Sequence, residues 1–305
     1  EGKIHELRFG TNDDELLYLL ESPTLPTELY CFNTSHDLEN RITTFHEERM
    51  FNIHPSQHEV ESFDGIKIKF FLYEGLKEHN RNKCILYIHG GPEIQERYTY
   101  NAYFQYLVHE GYSVCVPNVR GSTGYGKTFE KLDNGSNRLN CLQDLLAVNK
   151  WLIDTKNYET GLMGRSYGAY LELLALTHMP AVWKYGISIA GFMNLNTFLQ
   201  GLSTASRNYR GFEYGSLDMY GEFHENVAPL HNVANIQAPI LMFHGDKDNV
   251  VPVSESIQFA HKMQKSNRQV TFFELPNEGH KVQKASNQKF VAKEINHFLS
   301  KIYSF

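Results

Sequence analysis

Cysteine is scarce in this sequence, and its few cysteines are far apart. Cys31, Cys84, Cys115 and Cys141 are the only four among 305 residues, and no two of them have CxxC spacing. This excludes a small fold held together by many disulfides. It favours buried, reduced thiols in a cytosolic protein, although pairing into two bridges stays open. We predict neither a bound metal ion nor an organic cofactor.

Long apolar runs are also missing. No stretch approaches the roughly 18 apolar residues of a membrane span, and residues 1–30 lack the pattern of a signal peptide. We therefore predict a cytoplasmic protein with no membrane partner. The chain starts at Glu1 rather than at a methionine, so we expect a fragment or a processed chain.

Basic clusters are absent, and the formal net charge is −6. Because binding to a nucleic-acid backbone needs a basic face, we predict no nucleic-acid partner. The length allows one large α/β domain plus a smaller piece. The composition leaves open whether the chain forms a homo-oligomer.

Residues 1–56 are rich in β-forming sequence. Lys3–Phe9, Glu15–Ser22 and Glu28–Phe32 are short runs separated by turn-forming residues. They predict a three-stranded antiparallel meander, which is too small to bury a core of its own. We place a domain boundary after residue 56.

Residues 57–305 alternate between strands and helices. The predicted strands are His58–Phe63, Ile66–Tyr73, Lys83–His89, Ser113–Asn118, Thr160–Met163, Gly186–Ala190, Pro239–His244 and Val270–Leu275. The predicted helices are Asn101–His109, Cys141–Thr155, Tyr167–Thr177, Ser254–Gln264 and Asn287–Lys301. Such alternation predicts a mostly parallel sheet with helices on both faces, whose ligands bind beyond the carboxyl ends of the strands.

A nucleophile elbow is the most informative local pattern. Ser166 lies between Gly164 and Gly168, after a predicted strand and before a predicted helix. So tight a turn strains the serine backbone and needs small flanking residues, which let strand and helix approach each other. The pattern predicts a serine hydroxyl presented at the carboxyl end of the sheet.

Two further residues supply the partners that an acyl-transferring serine needs. Asp248 and His280 each follow a predicted strand, and the chain order Ser, Asp, His is that of the α/β-hydrolases. With 15 histidines in the chain, one of them could stand there by chance. The joint arrangement nevertheless predicts a catalytic triad.

Backbone amides that stabilise the oxyanion are expected at two places. Tyr167 begins the helix after the elbow, and the glycine pair of His89-Gly90-Gly91-Pro92 follows another strand. Glycines let the main chain approach a developing negative charge closely.

A competing pattern lies at Gly121–Thr128, which satisfies the P-loop motif GxxxxGK[ST]. A P-loop opens a long helix, whereas Asp133-Asn134-Gly135 interrupts the helical pattern here after a few residues. We favour a glycine-rich loop in the wall of the active site, and nucleotide binding stays as an alternative.

Five motifs together carry a family resemblance. HGGP, RGSTGYG, GRSYGAY, HGDKDNVVP and EGH, in this order, resemble the prolyl oligopeptidase family of serine peptidases, especially its acylaminoacyl-peptidase-like branch. The resemblance spans residues 58–305 and implies an α/β-hydrolase fold.

The resemblance also implies roles. Ser166 would be the nucleophile, His280 the general base and acid, and Asp248 the orienting carboxylate, with Asp246 only a neighbour. The amides of Gly91 and Tyr167 would stabilise the oxyanion. In family members with an oxyanion-hole tyrosine, that residue aligns near His89, so the second donor here is expected to be main-chain.

Substrates follow from the same resemblance. It implies a peptidase acting on peptides or small acyl compounds through an acyl-enzyme, while a carboxylesterase of the same fold and a catalytically inert binding module stay open. His89, Tyr214 and Phe192 are candidates for substrate contacts, and Phe198 and Tyr209 for the same apolar pocket.

Residues 1–56 fit the resemblance as well, because family members usually carry a β-propeller before the hydrolase fold. Leu17–Phe32, followed by Arg41-Ile42-Thr43, resembles a closing propeller blade. We therefore expect the carboxyl-terminal part of a longer protein, or a relative with a reduced propeller.

Overall fold

A computed structural model describes residues 2–45, 52–76 and 82–303. The chain divides into two compact units. One comprises Glu1–Ser56, Leu72–Arg81 and Glu96–Val114, and the other comprises Gln57–Phe71, Asn82–Gln95 and Cys115–Phe305. The predicted boundary after residue 56 stays a prediction.

The first unit contains a four-stranded antiparallel sheet in the order β1-β2-β3-β4. Its strands are β1 Lys3–Phe9, β2 Glu15–Ser22, β3 Leu25–Asn33 and β4 Leu38–Arg41. The prediction of three strands missed β4, whose sequence LENR has little β propensity. Asn33 reverses the chain before β4, because its side-chain oxygen accepts hydrogen bonds from the amides of Ser35 and His36.

The larger sheet has eight strands in the order β12-β11-β10-β9-β7-β8-β6-β5. Its strands are β5 Ser56–Glu61, β6 Lys67–Tyr73, β7 Lys83–Ile88, β8 Ser113–Asn118, β9 Glu159–Arg165, β10 Gly186–Ile189, β11 Ile240–Gly245 and β12 Val270–Leu275. Strands β7, β9, β10, β11 and β12 pair in parallel. Their carboxyl ends therefore meet at one edge of the sheet.

Nine α-helices are found among the described residues. They are α1 Ala102–His109, α2 Lys127–Glu130, α3 Asn140–Lys156, α4 Tyr167–His178, α5 Leu195–Gly201, α6 Thr204–Tyr214, α7 Leu217–Val227, α8 Ser254–Lys265 and α9 Ala285–Ile302. Helix α4 is buried along almost its whole length and packs against β7, β9 and β10. Within the described ranges no helix is both long and apolar enough to cross a bilayer.

Helices α5, α6 and α7 were missed in the sequence. Their stretch contains Gly201, Gly211, Gly215 and Gly221, which lower helix propensity and mimic loop sequence. Side-chain caps and packing override that preference. Asn194 caps α5 and Ser203 caps α6, each accepting a hydrogen bond from an amide of the first turn. The fold of this stretch was therefore decided by contacts and not by composition.

All four cysteines are free thiols, and three of them are buried. Burial strongly raises the pKa of the thiols of Cys115 and Cys141. These residues fill the core and are unreactive at neutral pH.

Candidate active site

Ser166 stands on a strained turn between β9 and α4. Its backbone has φ 56° and ψ −121°, a conformation that L-residues rarely adopt. The turn is possible because Gly164 and Gly168 lack side chains. A Cβ on Gly164 would overlap the carbonyl oxygen of Gly168, and one on Gly168 would overlap that of Ile88. The elbow that the sequence predicts is present in the structure.

The structure brings Ser166, His280 and Asp248 together. His280 Nε2 lies 2.9 Å from Ser166 Oγ, and its Nδ1 lies 2.7 Å from Asp248 Oδ2. With Nδ1–H donating to the carboxylate, Nε2 is free to accept the serine proton. The geometry is that of a base placed for nucleophilic catalysis, whereas the catalytic role of each residue stays a prediction.

Asp248 is held as a carboxylate by several donors. Its Oδ1 accepts hydrogen bonds from the amides of Val250 and Val251, at 2.8 and 2.9 Å. Burial alone would raise its pKa, but the bonds from His244, His280 and these amides outweigh burial and hold the pKa of Asp248 well below its usual range. Asp248 is therefore ionised at neutral pH.

His244 supports Asp248 and was assigned no role from the sequence. Its buried ring places Nε2 at 2.9 Å from the carbonyl oxygen of Val251 and 3.1 Å from Asp248 Oδ2, so Nε2 must carry a proton. Its Nδ1 lies 2.8 Å from Ser256 Oγ. Only its position four residues before Asp248, at the end of β11, hinted at this contact.

The loops that carry Asp248 and His280 are tied together behind the triad. Asp246 Oδ1 accepts the amide of Glu278 at 3.1 Å, and the amide of Lys247 donates to the Glu278 carbonyl at 2.9 Å. A side chain on Gly245 would overlap the main chain at Glu278. Asp246 thus holds the histidine loop and does not touch His280 directly.

Two backbone segments flank the serine where an oxyanion would form. The Tyr167 amide, in the first residue of α4, has no acceptor within its helix. The glycine loop passes beside the serine, since a Cβ on Gly90 would lie 3.4 Å from the Cβ of Ser166. Gly91 follows with φ 131°, which glycine adopts most readily. The Tyr167 amide directly follows Ser166 in the chain, and the glycine loop lies beside Ser166 in space. The role of both as oxyanion donors stays a prediction.

His89 does not occupy the position expected of a substrate-binding residue. It is buried, with Nδ1 2.7 Å from the carbonyl oxygen of Gly90 and Nε2 3.0 Å from Ser122 Oγ. Because both ring nitrogens are engaged, neither is available to a substrate. His89 instead ties the glycine loop to the Gly121–Thr128 segment, and its predicted substrate contact is corrected accordingly.

An apolar cavity of about 450 Å³ is lined by residues of α5 and α6 and by Val250. Its lining residues are Phe198, Leu202, Ala205, Ser206, Tyr209, Arg210 and Val250. Val250 also donates its amide to Asp248, so one residue of the cavity lining contacts the predicted catalytic carboxylate. A larger cavity of about 770 Å³ lies along α6 and α7, and none of its lining residues hydrogen-bonds to the triad.

Phe192 and Tyr214, predicted to contact substrate, lie behind this cavity. Phe192 stacks on Phe198 with ring centroids 4.4 Å apart, and Tyr214 meets Phe198 edge-on at 6.2 Å. Both are 1% exposed. They support the cavity wall and do not form its surface, because Phe198 covers them.

The segment that matches the P-loop motif makes structural contacts with neighbouring segments. Helix α2, which follows its glycines, has four residues. The amide of Thr123 donates to the carbonyl of Ile94 at 3.0 Å, and Gly121 faces the carboxylate of Asp133. A carboxylate at this place would repel a phosphate, which disfavours nucleotide binding.

Comparison with known proteins identifies the family. Residues 98–304 match the prolyl oligopeptidase family. Dipeptidyl aminopeptidase BIII of Pseudoxanthomonas mexicana is 33% identical over 216 residues, which cover 67% of this chain and 31% of that protein. Dipeptidyl peptidase family member 6 of Caenorhabditis elegans is 32% identical over 231 residues, covering 71% and 30%. The chain therefore belongs to the prolyl oligopeptidase family, and spans only about a third of these relatives.

Solved structures show the same fold. The acylaminoacyl peptidase of Pyrococcus horikoshii superimposes with a TM-score of 0.85 at 24% identity, covering 98% of this chain and 49% of that one. A puromycin-hydrolyzing peptidase of Mycobacterium tuberculosis has a TM-score of 0.86 at 18% identity, covering 99% and 49%. The predicted α/β-hydrolase fold and the β-rich segment before it are confirmed.

Proposed function

We propose that this chain carries the catalytic machinery of a serine peptidase. The observation that supports it best is the pair of hydrogen bonds, 2.9 and 2.7 Å long, that links Ser166 through His280 to Asp248 on a strained elbow. Membership of a peptidase family favours peptide bonds as the substrate.

The reaction follows from the geometry. His280 Nε2 takes the proton of Ser166 as Oγ attacks the substrate carbonyl, and the amides of Tyr167 and Gly91 stabilise the resulting oxyanion. The imidazolium, stabilised by Asp248, then gives its proton to the leaving amine. Water, activated by His280, hydrolyses the acyl-enzyme and regenerates the serine. The cavity beside Val250 would take an apolar side chain of the substrate.

Covalent labelling tests this proposal. A fluorophosphonate probe should label the wild-type chain at Ser166, and Ser166→Ala should abolish labelling and lower kcat by about 10⁴- to 10⁶-fold. A folded wild-type chain that is never labelled would support the inert binding module.

An esterase is the second candidate, because a triad does not by itself choose between amides and esters. Aminoacyl nitroanilides and nitrophenyl esters of matched acyl groups separate the two. If this chain hydrolyses the anilides with a higher kcat/KM than a simple esterase does, the peptidase is supported. Turnover of the esters alone would support the carboxylesterase.

We also propose a cytoplasmic setting without nucleic-acid partners. Four free cysteines are compatible with a reducing cytoplasm, and the acidic charge disfavours nucleic-acid partners. Light scattering of the purified chain would decide between a monomer and a homo-oligomer.

A further inference from the structure

A buried ionic cluster lies directly behind the elbow. It consists of Asp133, Arg138, Tyr167 and Glu213, which we call the Arg138 cluster. Their exposures are 0%, 1%, 2% and 5%. They come from four separate segments, including the first residue of α4 and the end of α6. None of them belongs to the triad.

Arg138 is the centre of the cluster. Its Nη1 donates to the hydroxyl oxygen of Tyr167 at 2.7 Å and to Asp133 Oδ2 at 3.2 Å. Its Nη2 donates to the carboxylate and the carbonyl of Glu213, at 3.0 and 2.9 Å. The Tyr167 hydroxyl donates in turn to Asp133 Oδ2 at 3.1 Å. The side chain of Tyr167 is therefore held from two sides.

Gly121 makes room for this arrangement. A Cβ at this position would overlap the carboxylate of Asp133, so the glycine of the RGSTGYG motif admits an acid into the core. The guanidinium also lies 4.6 Å from the ring centroid of Tyr214, whose ring contacts Phe198 in the cavity wall. The cluster thus connects the wall of the cavity to the start of α4.

The cluster holds one cation and two carboxyl groups. Burying an uncompensated charge is costly, so one proton is retained there near neutrality. Burial, with the help of Asp133, raises the pKa of Glu213 to about 7 although Arg138 opposes it. Burial also raises the pKa of Asp133. Arg138 remains charged.

Three other titratable groups around the cluster keep a constant charge near neutral pH. Burial raises the pKa of Cys141 and of Tyr214 and lowers that of His224, so all three are neutral. Glu93 and Arg210 face the cluster from outside and form an ion pair of 3.3 Å. Glu213 is therefore the group that changes charge near pH 7.

Tyr167 joins this cluster to the predicted chemistry, because its amide is a predicted oxyanion donor. A displacement of such a donor by an ångström can cost about 100-fold in rate. We propose that Arg138, Asp133 and Glu213 are positioning residues that align the Tyr167 amide, and that they do so with one carboxyl group protonated. This inference rests on the proposed function.

The hydroxyl of Tyr167 is the link to test first. Tyr167→Phe keeps the ring and the amide but removes both hydrogen bonds, and should lower kcat about tenfold with KM within about twofold. Tyr170→Phe is the matched control on the same helix, because the Tyr170 hydroxyl has no hydrogen-bond partner among the described residues. It should behave as wild type. Equal kcat values for Tyr167→Phe and Tyr170→Phe would overturn the inference, even if Tyr167→Phe were less stable.

A pH profile of kcat tests whether the Arg138 cluster works with one carboxyl group protonated. As pH rises from 6 to 9, Glu213 loses its proton and adds a negative charge to the Arg138 cluster that holds Tyr167, which should lower the wild-type kcat by about three- to tenfold. Glu213→Gln keeps an acceptor for Arg138 without the charge, so its kcat should stay high at pH 9. The same alkaline decline in both proteins would refute the role of Glu213.

Fluorophosphonate labelling of the full chain, with Ser166→Ala as control, distinguishes failure of the proposed function from failure of this inference. An unlabelled wild type would overturn the proposed function and this inference with it. A labelled wild type whose Tyr167→Phe and Glu213→Gln variants match it in kcat at every pH would overturn this inference alone.

Discussion

The two β-sheets of this protein differ sharply in burial. In the four-stranded sheet, six of the seven residues of β1 are exposed, including Leu7 at 58% and Phe9 at 77%. In the eight-stranded sheet, every residue of β8 and of β11 is buried. Parallel strands need helices on their faces, whereas an antiparallel sheet can leave a face uncovered.

The two sheets also differ in their expected roles, since one carries the predicted triad and the other an exposed apolar surface. Every member of the predicted triad is on the carboxyl side of a strand of the eight-stranded sheet, where packing on both faces makes positions reproducible. The smaller sheet leaves apolar side chains in solvent, which is typical of a contact surface. The following substitutions test this contrast.

The largest effect is expected from the predicted catalytic carboxylate. Asp248→Asn should lower kcat by about 10⁴-fold, because the amide no longer favours the correct tautomer and charge of His280. Asp14→Asn in the turn between β1 and β2, where Asp14 accepts a hydrogen bond from Asn33, should leave kcat unchanged. Steady-state kinetics on a peptide anilide measures both. Comparable losses in the two variants would break the contrast.

Shortening an apolar side chain should destabilise the protein more in the larger sheet than in the smaller one. Leu86 on β7 is fully buried, so Leu86→Ala should lower the free energy of unfolding by about 2–5 kcal/mol. Leu7→Ala on β1 should change it by less than about 0.5 kcal/mol. Urea denaturation followed by circular dichroism measures the difference, and a large effect of Leu7→Ala would show that β1 is packed more tightly than its exposure indicates.

Replacing two buried glutamates by glutamine should change the stability of the protein in opposite directions. Glu28 in the first unit pairs with Arg41 at 2.7 Å, so Glu28→Gln should destabilise the protein by about 1–3 kcal/mol at pH 8. Glu213 shares Arg138 with Asp133, and Glu213→Gln should stabilise it at the same pH by about 1–2 kcal/mol.

The sign for Glu213 follows from its raised pKa. Folding moves this pKa from 4.5 to about 7, so the folded state binds a proton more tightly and loses stability as pH rises between these values. The gain in Tm of Glu213→Gln over wild type should therefore be small at pH 4.5 and complete above pH 8. Scanning calorimetry across this range checks it, and a pH-independent difference would argue against ionisation of Glu213.

The smallest effect on folding is expected at the exposed edge. Phe9→Ser should leave Tm within about 2 °C, because a side chain in solvent contributes little to stability. It should reduce binding of a hydrophobic dye if β1 is part of an apolar contact surface. Ile4→Ser on the same strand is a second variant of the same kind, and unchanged dye binding in both would remove the reason to regard β1 as such a surface.

Sequence patterns were sufficient where a function depends on neighbouring residues. The elbow around Ser166 is legible because strand, tight turn and helix follow one another directly between Glu159 and His178. The strands of the larger sheet were predicted to within a few residues, since strands buried on both faces are apolar throughout. The roles of His89 and Phe192 could not be predicted, because burial depends on which distant segments cover them.

By itself the sequence determined the α/β class, the positions of the strands along the chain and the motifs that place a serine, an aspartate and a histidine after strands of the larger sheet. These follow from local propensity and from the apolar pattern of each strand. Only the tertiary structure decided that His244 braces Asp248 and that Arg138 joins Asp133, Tyr167 and Glu213 behind the elbow. Such contacts depend on residues far apart in the chain, and their energies arise from burial, which no single segment encodes.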